Sequence, residues 1–386
     1  MFSSRFHWDL RPNRLTLALS ERRAAGLKVI DLTESNPTHA GLHYPADAVA
    51  ALSHRDMLSY DPLPAGSVAA REAVAQYYRN RGAEVPIGRI LLTASTSEAY
   101  GYLFKLLTDP GDEVLVPRPS YPLFEFLATM ESVRVRSYPL VYHGGWGMDL
   151  TELEAALTPR TRAIVLVNPN NPTGSYLKRG ELEQLAGICR SRDLALISDE
   201  VFADYALGPD PARINTLATT AECLTFSMSG LSKVAGLPQM KLGWIVVNGP
   251  SPWREEAFEK LEWIADTYLS VSTPVQCAAE GLLKAGEDVQ QQIRDRSAAN
   301  LAVAKQTLSG SAANLLQVEG GWYVILQVPR VRSEEEWALG LLENEGVLVQ
   351  PGFFYDFEAE AYLVASLLTE PSIFQLGLAG LRRFIR

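Results

Sequence analysis

The stretch Arg162-Ala-Ile-Val-Leu-Val-Asn-Pro-Asn-Asn-Pro-Thr-Gly174 joins an uninterrupted apolar run to a cluster of turn residues. A short apolar segment closed by Asn, Pro and Gly reads as a strand buried on both faces, as in a parallel sheet covered by helices. Two later stretches repeat the arrangement. Residues 194–197 (Leu-Ala-Leu-Ile) run into Ser-Asp-Glu, and residues 224–227 run into Met-Ser-Gly-Leu-Ser-Lys, which ends at Lys233. Each apolar run is thus followed by a polar group, respectively Asn171, Asp199 and Lys233.

From about residue 66 onward, helix-like and strand-like segments alternate. Helical spacing of apolar residues appears at 68–81, 96–107, 121–130, 150–157 and 181–192. Strands are expected at 90–93, 113–116, 133–140, 162–167, 194–197, 224–227 and 244–247. This alternation predicts an α/β fold with a mostly parallel, seven-stranded mixed sheet sandwiched by helices. Beyond about residue 271 the character changes to a long amphipathic helix (275–307), then Gly320-Gly-Trp-Tyr-Val-Ile-Leu-Gln-Val, another helix, and Val347-Leu-Val-Gln-Pro-Gly. That part reads as a smaller α+β domain. A chain of 386 residues usually divides in two. The expected division is a larger domain at 46–275 and a smaller one made of 1–45 with 276–386.

A net charge of −10 and a pI near 5.2 disfavour a broad nucleic-acid or anionic-membrane surface and favour a small-molecule substrate. Cys189, Cys223 and Cys277 have no C-x-x-C spacing and read as buried thiols of a reducing compartment. The histidines form no H-E-x-x-H, so no metal is expected. With neither a signal-peptide core nor a membrane-length apolar run, the expected location is cytoplasmic.

In open α/β sheets, ligands bind beyond the carboxyl ends of the strands, where Asn171, Asp199 and Lys233 all fall. An amine, a carboxylate and a side-chain amide converging there form a set that can hold pyridoxal 5'-phosphate as a Schiff base and tune its ring. Each has a plainer reading as well: a solvated lysine, a helix-capping aspartate, a turn asparagine. Likewise Thr93-Ala-Ser-Thr-Ser-Glu-Ala offers phosphate a helix N-terminus with the Ser95 and Thr96 hydroxyls, yet is equally an ordinary cap with a glutamate behind it.

From about Asp31 into the C-terminal part, the chain resembles the class I/II aminotransferases of the fold type I pyridoxal-phosphate family. The resemblance rests on Asn-Pro-Asn-Asn-Pro-Thr-Gly and on Asp-Glu after a strand. It rests also on Ser-Lys followed by Gly-Leu-Pro and, eight residues past the lysine, a cation ahead of Leu-Gly-Trp. It implies that Lys233 is both anchor and proton carrier, that Asp199 faces the ring nitrogen, and that Asn171 binds the phenolic oxygen. It also implies that Asn171-Pro172 is cis, that Tyr121 stacks on the ring, and that Ser95, Thr96 and Lys241 take the phosphate. Tyr60 matches a tyrosine that reaches the neighbouring subunit's phosphate, which implies a homodimer. Ser35 and Asn36 match a substrate-contacting segment. The implied reaction is ping-pong transfer of an amino group between an amino acid and a 2-oxo acid.

Three positions depart from the family pattern. A phenolate-binding tyrosine is replaced by Phe202, with Tyr205 the nearest substitute. Lys241 stands for an arginine and gives up its bidentate fork. The arginine that clamps a substrate carboxylate aligns with Val364, while Arg382, Arg383 and Arg386 suit the face of a terminal helix. A pyridoxal-phosphate lyase, racemase or decarboxylase, or a sensor without turnover, therefore remain as alternatives. Gly144-Gly-Trp-Gly lacks dinucleotide spacing, and Gly230 occupies the place of an S-x-x-K nucleophile.

Overall fold

The computed structural model describes residues 1–6, 8 and 11–385. Its centre is a sheet ordered Ile90–Thr93, Gly243–Asn248, Thr225–Gly230, Ala195–Asp199, Thr161–Val167, Glu113–Arg118, Arg134–Tyr142 and Trp146–Met148. The four neighbouring pairs from Thr225–Gly230 to Arg134–Tyr142 are parallel, whereas Gly243–Asn248 and Trp146–Met148 run antiparallel to their neighbours. The sheet therefore has eight strands rather than the expected seven. The additional one is the three-residue Trp146–Met148, in the Gly-Gly-Trp-Gly run that reads as a connection. It is too short to show a period of two, and it pairs as the return arm of a hairpin.

The central strands are buried along nearly their whole length, as continuous apolar runs require when helices cover both faces; Arg162 is exposed, and Val167 and Asp199 are half-buried at the carboxyl edge. One layer packs Leu103, Phe104, Val165, Ile197 and Phe226 together. On the opposite face, Leu196 and Ile164 pack with Leu153 and Leu185 of the helices Leu150–Ala156 and Arg179–Arg192. Cys189 and Cys223 belong to that second layer, while Cys277 is half-buried.

A second, antiparallel sheet is ordered Asn314–Leu315, Tyr323–Gln327, Tyr362–Ser366 and Gln350–Pro351. Its core includes Leu326, Leu341, Leu363, Phe374 and Leu378. Arg383 of the terminal helix Pro371–Phe384 pairs with Glu345 at 2.6 Å, in keeping with a surface role; Arg386 lies outside the described residues. The helix Thr273–Leu308 holds both parts of the molecule. Its Gln290 donates to the Val234 carbonyl at 2.5 Å, next to Lys233, and its Asn300 donates to the Leu367 and Thr369 carbonyls at 2.9 and 2.8 Å, just past a strand of the second sheet. Among the described residues, no helix is long and apolar enough to cross a membrane, and no group of His, Cys, Asp and Glu is placed to hold a metal ion.

The turn carrying Asn171 depends on Gly174, whose φ is +67° and whose amide donates to the Asn170 carbonyl at 2.7 Å. A β-carbon there would lie 2.3 Å from Val318 Cγ2 and 2.4 Å from the Gly320 carbonyl oxygen. Gly174→Ala is therefore expected to cost about 3 kcal/mol in urea denaturation, from strain and steric conflict together. By contrast Gly180→Ala, where an added β-carbon meets nothing within 4 Å, should be neutral or stabilising by up to about 1 kcal/mol.

Candidate active site

Strand register brings the three polar groups together. Asp199 ends its strand opposite Val167 on one side and Met228 on the other, so the chain segments leading to Asn171 and Lys233 leave the sheet beside it. Gly243–Asn248 runs in the reverse direction and therefore begins at this same edge, placing Lys241 there. Thr93 pairs with Gly243, which puts Ser95 and Thr96, at the start of the helix Thr96–Leu107, on the edge as well.

A cavity of about 300 Å³ opens at this point, and Lys233, Asp199, Asn171 and Tyr121 line it. Ser95, Thr96, Lys241 and Ser35 line it too. A larger groove of about 720 Å³ lies nearby, bordered by Tyr121 and by Arg5, Arg118 and Arg134, but contains none of Lys233, Asp199 or Asn171. Chemistry, and not size, selects the smaller cavity.

Asp199 accepts from the Tyr100 hydroxyl and from the Val201 amide, each at 3.2 Å. Burial pushes its carboxyl up to about 6, against those two bonds and the charge of Lys233, which act to lower it. Burial likewise lowers the Lys233 amine below its ordinary value, and Asp199 opposes that shift. The Lys233 Nζ lies 5.8 Å from the ring centre of Phe202 and 5.4 Å from that of Trp322, so two aromatic faces flank it.

The Asn171-Pro172 peptide bond is cis, as the resemblance implies. The Asn171 side-chain oxygen is buried without a hydrogen-bond partner. An amide turns over with little change of shape, so this side chain has hydrogen-bonding capacity to offer a ligand. Ser95 caps its helix, with its hydroxyl accepting from the Glu98 amide at 3.2 Å while Glu98 accepts from the Ala94 amide at 2.6 Å. The capping reading of this run is therefore correct, and it coexists with a helix N-terminus facing the cavity, where free amides favour an anion.

Other expected residues fall elsewhere. Tyr60 is 77% exposed and lines a separate surface pocket with Leu63, Gly66 and Gln276. Asn36 turns its side-chain oxygen to the Thr38 amide and hydroxyl and does not line the cavity. Tyr205 is buried and its hydroxyl donates to the Lys233 carbonyl, so it does not line the cavity in place of the tyrosine missing at Phe202.

The structure adds Tyr100, Ser232 and Tyr323 to the cavity. Tyr100 lies one helical turn after Thr96, and i to i+4 spacing on the capped helix is the signal that points to it. Tyr323 comes from the second sheet, a placement that no local pattern encodes.

An amine, a half-buried acid, an amide with spare bonding capacity, a ring and a helix N-terminus thus meet in one cavity, a set whose chemistry fits pyridoxal phosphate. The family model for aminotransferase class I and II matches residues 28–366, and the chain belongs to that family of pyridoxal-phosphate enzymes. It is 30% identical over 273 residues to the glutamate-pyruvate aminotransferase of Escherichia coli strain K12, a match covering 69% of this chain and 66% of that enzyme. Its identity to the glutamate-pyruvate aminotransferase of Haemophilus influenzae is 26% over 373 residues, covering 93% of this chain and 91% of that one. The solved structure of alanine aminotransferase from Pyrococcus furiosus shares its fold, with a TM-score of 0.88 at 24% identity over 100% of this chain and 99% of that one.

The raised Asp199 carboxyl gives the cofactor-free protein a distinctive pH dependence. The folded value of about 6 exceeds the 3.8 of a solvated aspartate, so the folded state holds this proton more tightly than the unfolded chain. No penalty exists below that lower value; it grows as pH rises toward 6 and persists above. Allowing for water reaching the cavity, its full size is about 2 kcal/mol. Without cofactor, Asp199→Asn should match the wild type in denaturant stability near pH 4 and exceed it by about that amount at pH 7.5. Equal stability at both pH values would show that the acid is not held in a desolvated place.

Proposed function

We propose that the protein catalyses ping-pong transamination, moving an amino group between an amino acid and a 2-oxo acid through cofactor bound in this cavity. The convergence of Lys233, Asp199 and Asn171 carries the reading. Names of the similar proteins support it: the two bacterial relatives are glutamate-pyruvate aminotransferases, and the solved neighbour is an alanine aminotransferase.

When bound, pyridoxal phosphate supplies an aldehyde that condenses with amines and a ring that accepts electrons from the substrate carbon. Lys233 would hold the cofactor through its amine; among the described residues it is the one lysine in the cavity placed with the buried groups beside Asp199. With its amine free, it would carry the proton between the substrate carbon and the carbon on the far side of the nitrogen they share, a task suited to an amine whose proton affinity burial has lowered. Asp199 holds a proton on the ring nitrogen through charge, with Tyr100 fixing its orientation. Asn171 gives its amide to the phenolic oxygen, without help at Phe202, whose ring offers only hydrocarbon. Tyr121 covers the ring, and Ser95, Thr96 and Lys241 hold the phosphate.

The same reading divides the chain into a cofactor-holding domain at 46–275 and a smaller domain made of 1–45 and 276–386. The separate apolar clusters around the two sheets support that division. It also makes the enzyme a cytoplasmic homodimer in which Tyr60 crosses to the partner's phosphate. Supporting the dimer, Val49, Leu58 and Tyr60 are exposed together on one segment at 71%, 85% and 77%, more apolar surface than a short stretch ordinarily leaves in water.

Borohydride reduction of the holoenzyme followed by peptide mapping should tag Lys233 alone. A single addition of a competent donor without acceptor should convert the cofactor stoichiometrically to its amine form. Continuous regeneration of the aldehyde form by that donor would instead identify a lyase or decarboxylase. Tyr60→Phe should weaken cofactor binding about tenfold or more, as loss of a hydrogen bond to a charged group does, while sedimentation shows an intact dimer.

A further inference from the structure

Tyr323 of the second sheet and Ser35 of the segment after the short strand Ile30–Asp31 each bring a hydroxyl to the cavity from outside the large sheet. The two are hydrogen-bonded, and the bond acts to make the phenol the better acid, so Ser35 donates and the Tyr323 proton is left to be given elsewhere. Burial outweighs this bond and pushes the phenol up to about 12. At physiological pH the phenol is therefore a neutral donor.

Tyr323 stands where a substrate has to sit. Its ring centre lies 6.3 Å from that of Phe202, whose ring in turn lies 5.8 Å from the Lys233 Nζ. Tyr121, the ring expected to cover the cofactor, is also near it. A hydroxyl between the flank of the reactive amine and the covering ring meets the substituents of a substrate carbon held there. In an amino acid, one of those substituents is a carboxylate.

The cavity offers that carboxylate no guanidinium among the described residues: the lysines and arginines that line it are Lys233 and Lys241, which the transamination reading gives to the aldehyde and the phosphate. Val364, at the place that the resemblance gives to an arginine, is buried among Ile325, Leu316 and Phe357 and does not line the cavity. Tyr323 pairs with Ser366 and Ile325 with Val364, so the tyrosine stands two residues along the same face of the ladder, where it does reach the cavity. Glu34 is the acid near Tyr323, and its Oε1 is taken by the Asn36 amide at 2.7 Å. A hydrogen bond to an ionised acceptor is about twice as strong as one between neutral groups, so a hydroxyl here can hold a carboxylate without a cation.

We propose that Tyr323, supported by Ser35, binds the carboxylate of both the amino acid and the 2-oxo acid: a hydroxyl pair takes the place of an arginine. This deepens the transamination reading and rests on it for the substrate class. Donor and keto product carry the carboxylate on the same carbon, so the pair serves both half-reactions and acts on binding more than on the chemical step.

The test sets a change of residue against a change of ligand. On the holoenzyme, rapid-mixing spectra follow conversion of the cofactor to its amine form by each common L-amino acid, and the most reactive is carried forward with its own carboxamide. Tyr323→Phe should raise the half-saturating concentration of the amino acid about tenfold or more, and that of the carboxamide about threefold or less, with the limiting rate kept within about threefold. Ser35→Ala should move the amino acid the same way by a smaller factor. Equal rises for acid and amide, or an unmoved amino acid, overturn the proposal, since another group, such as a cation of the partner subunit, then holds the carboxylate. A fall in limiting rate at unchanged half-saturation overturns it as well, because Tyr323 then acts on the chemistry.

Binding without turnover gives a second readout. 2-Aminoisobutyrate has no hydrogen on its reacting carbon, so titration of the cofactor absorbance reports its affinity alone. Tyr323→Phe should weaken it about tenfold or more and its carboxamide about threefold or less. If that result holds while no amino acid converts the cofactor to its amine form, the transamination reading falls and the carboxylate site stands. If amino acids convert the cofactor while 2-aminoisobutyrate binds Tyr323→Phe and wild type alike, the carboxylate site falls and transamination stands.

Discussion

An acid and an amine share one partly desolvated space at the carboxyl edge of a sheet, and much else in the molecule serves that arrangement. Either charge alone would be expensive there. The pair tolerates burial because Tyr100 and the Val201 amide satisfy the acid while two aromatic faces flank the amine. Their placement is a matter of strand register, since Asp199 is locked between Val167 and Met228 by the ladder itself. A one-residue slip in either pairing would turn Asp199 to the other face of the sheet.

Around this pair the site takes its parts from widely separated segments for a common geometric reason. Parallel strands all end on one edge, and the single reversed strand between Thr225–Gly230 and Ile90–Thr93 begins there, so a cation ahead of it joins the same cavity. The helix start at Ser95 adds amides without adding a charged side chain. The second sheet contributes Tyr323. Most of the groups that line the cavity thus come from the large sheet and the segments that leave it, and one ring with its hydroxyl comes from the small one.

The legible part of this protein was the part governed by local rules. Asn171, Asp199 and Lys233 stand out because each follows an apolar run whose length and composition admit only a buried strand, and such strands end at ligand sites. Trp146–Met148 was not legible, since its pairing is decided by the hairpin and not by its own pattern. Tyr100 was hidden for the opposite reason: as one aromatic on an amphipathic helix it looks like core, and its hydroxyl matters only because Asp199 lies above it. Tyr323 falls in a run that the sequence places in the smaller domain without a role, because the approach of one sheet to the other is set by packing over long sequence separations. Tyr205 illustrates the limit from the other side, being close in sequence to Phe202 yet engaged with the backbone of Lys233.

The helix Thr273–Leu308 has a mechanical consequence. At 36 residues it is a rod of about 54 Å, gripping the chain beside Lys233 through Gln290 and the end of the strand Tyr362–Ser366 through Asn300. Those two grips are ten residues apart on the rod, so the span between the amine and the second sheet is gauged by helical pitch and not by a compliant loop. Lengthening the rod by one residue between them would swing one grip about 100° around its axis relative to the other. Loops elsewhere can drift in length, but this segment acts as a ruler whose tolerance is less than a single amino acid.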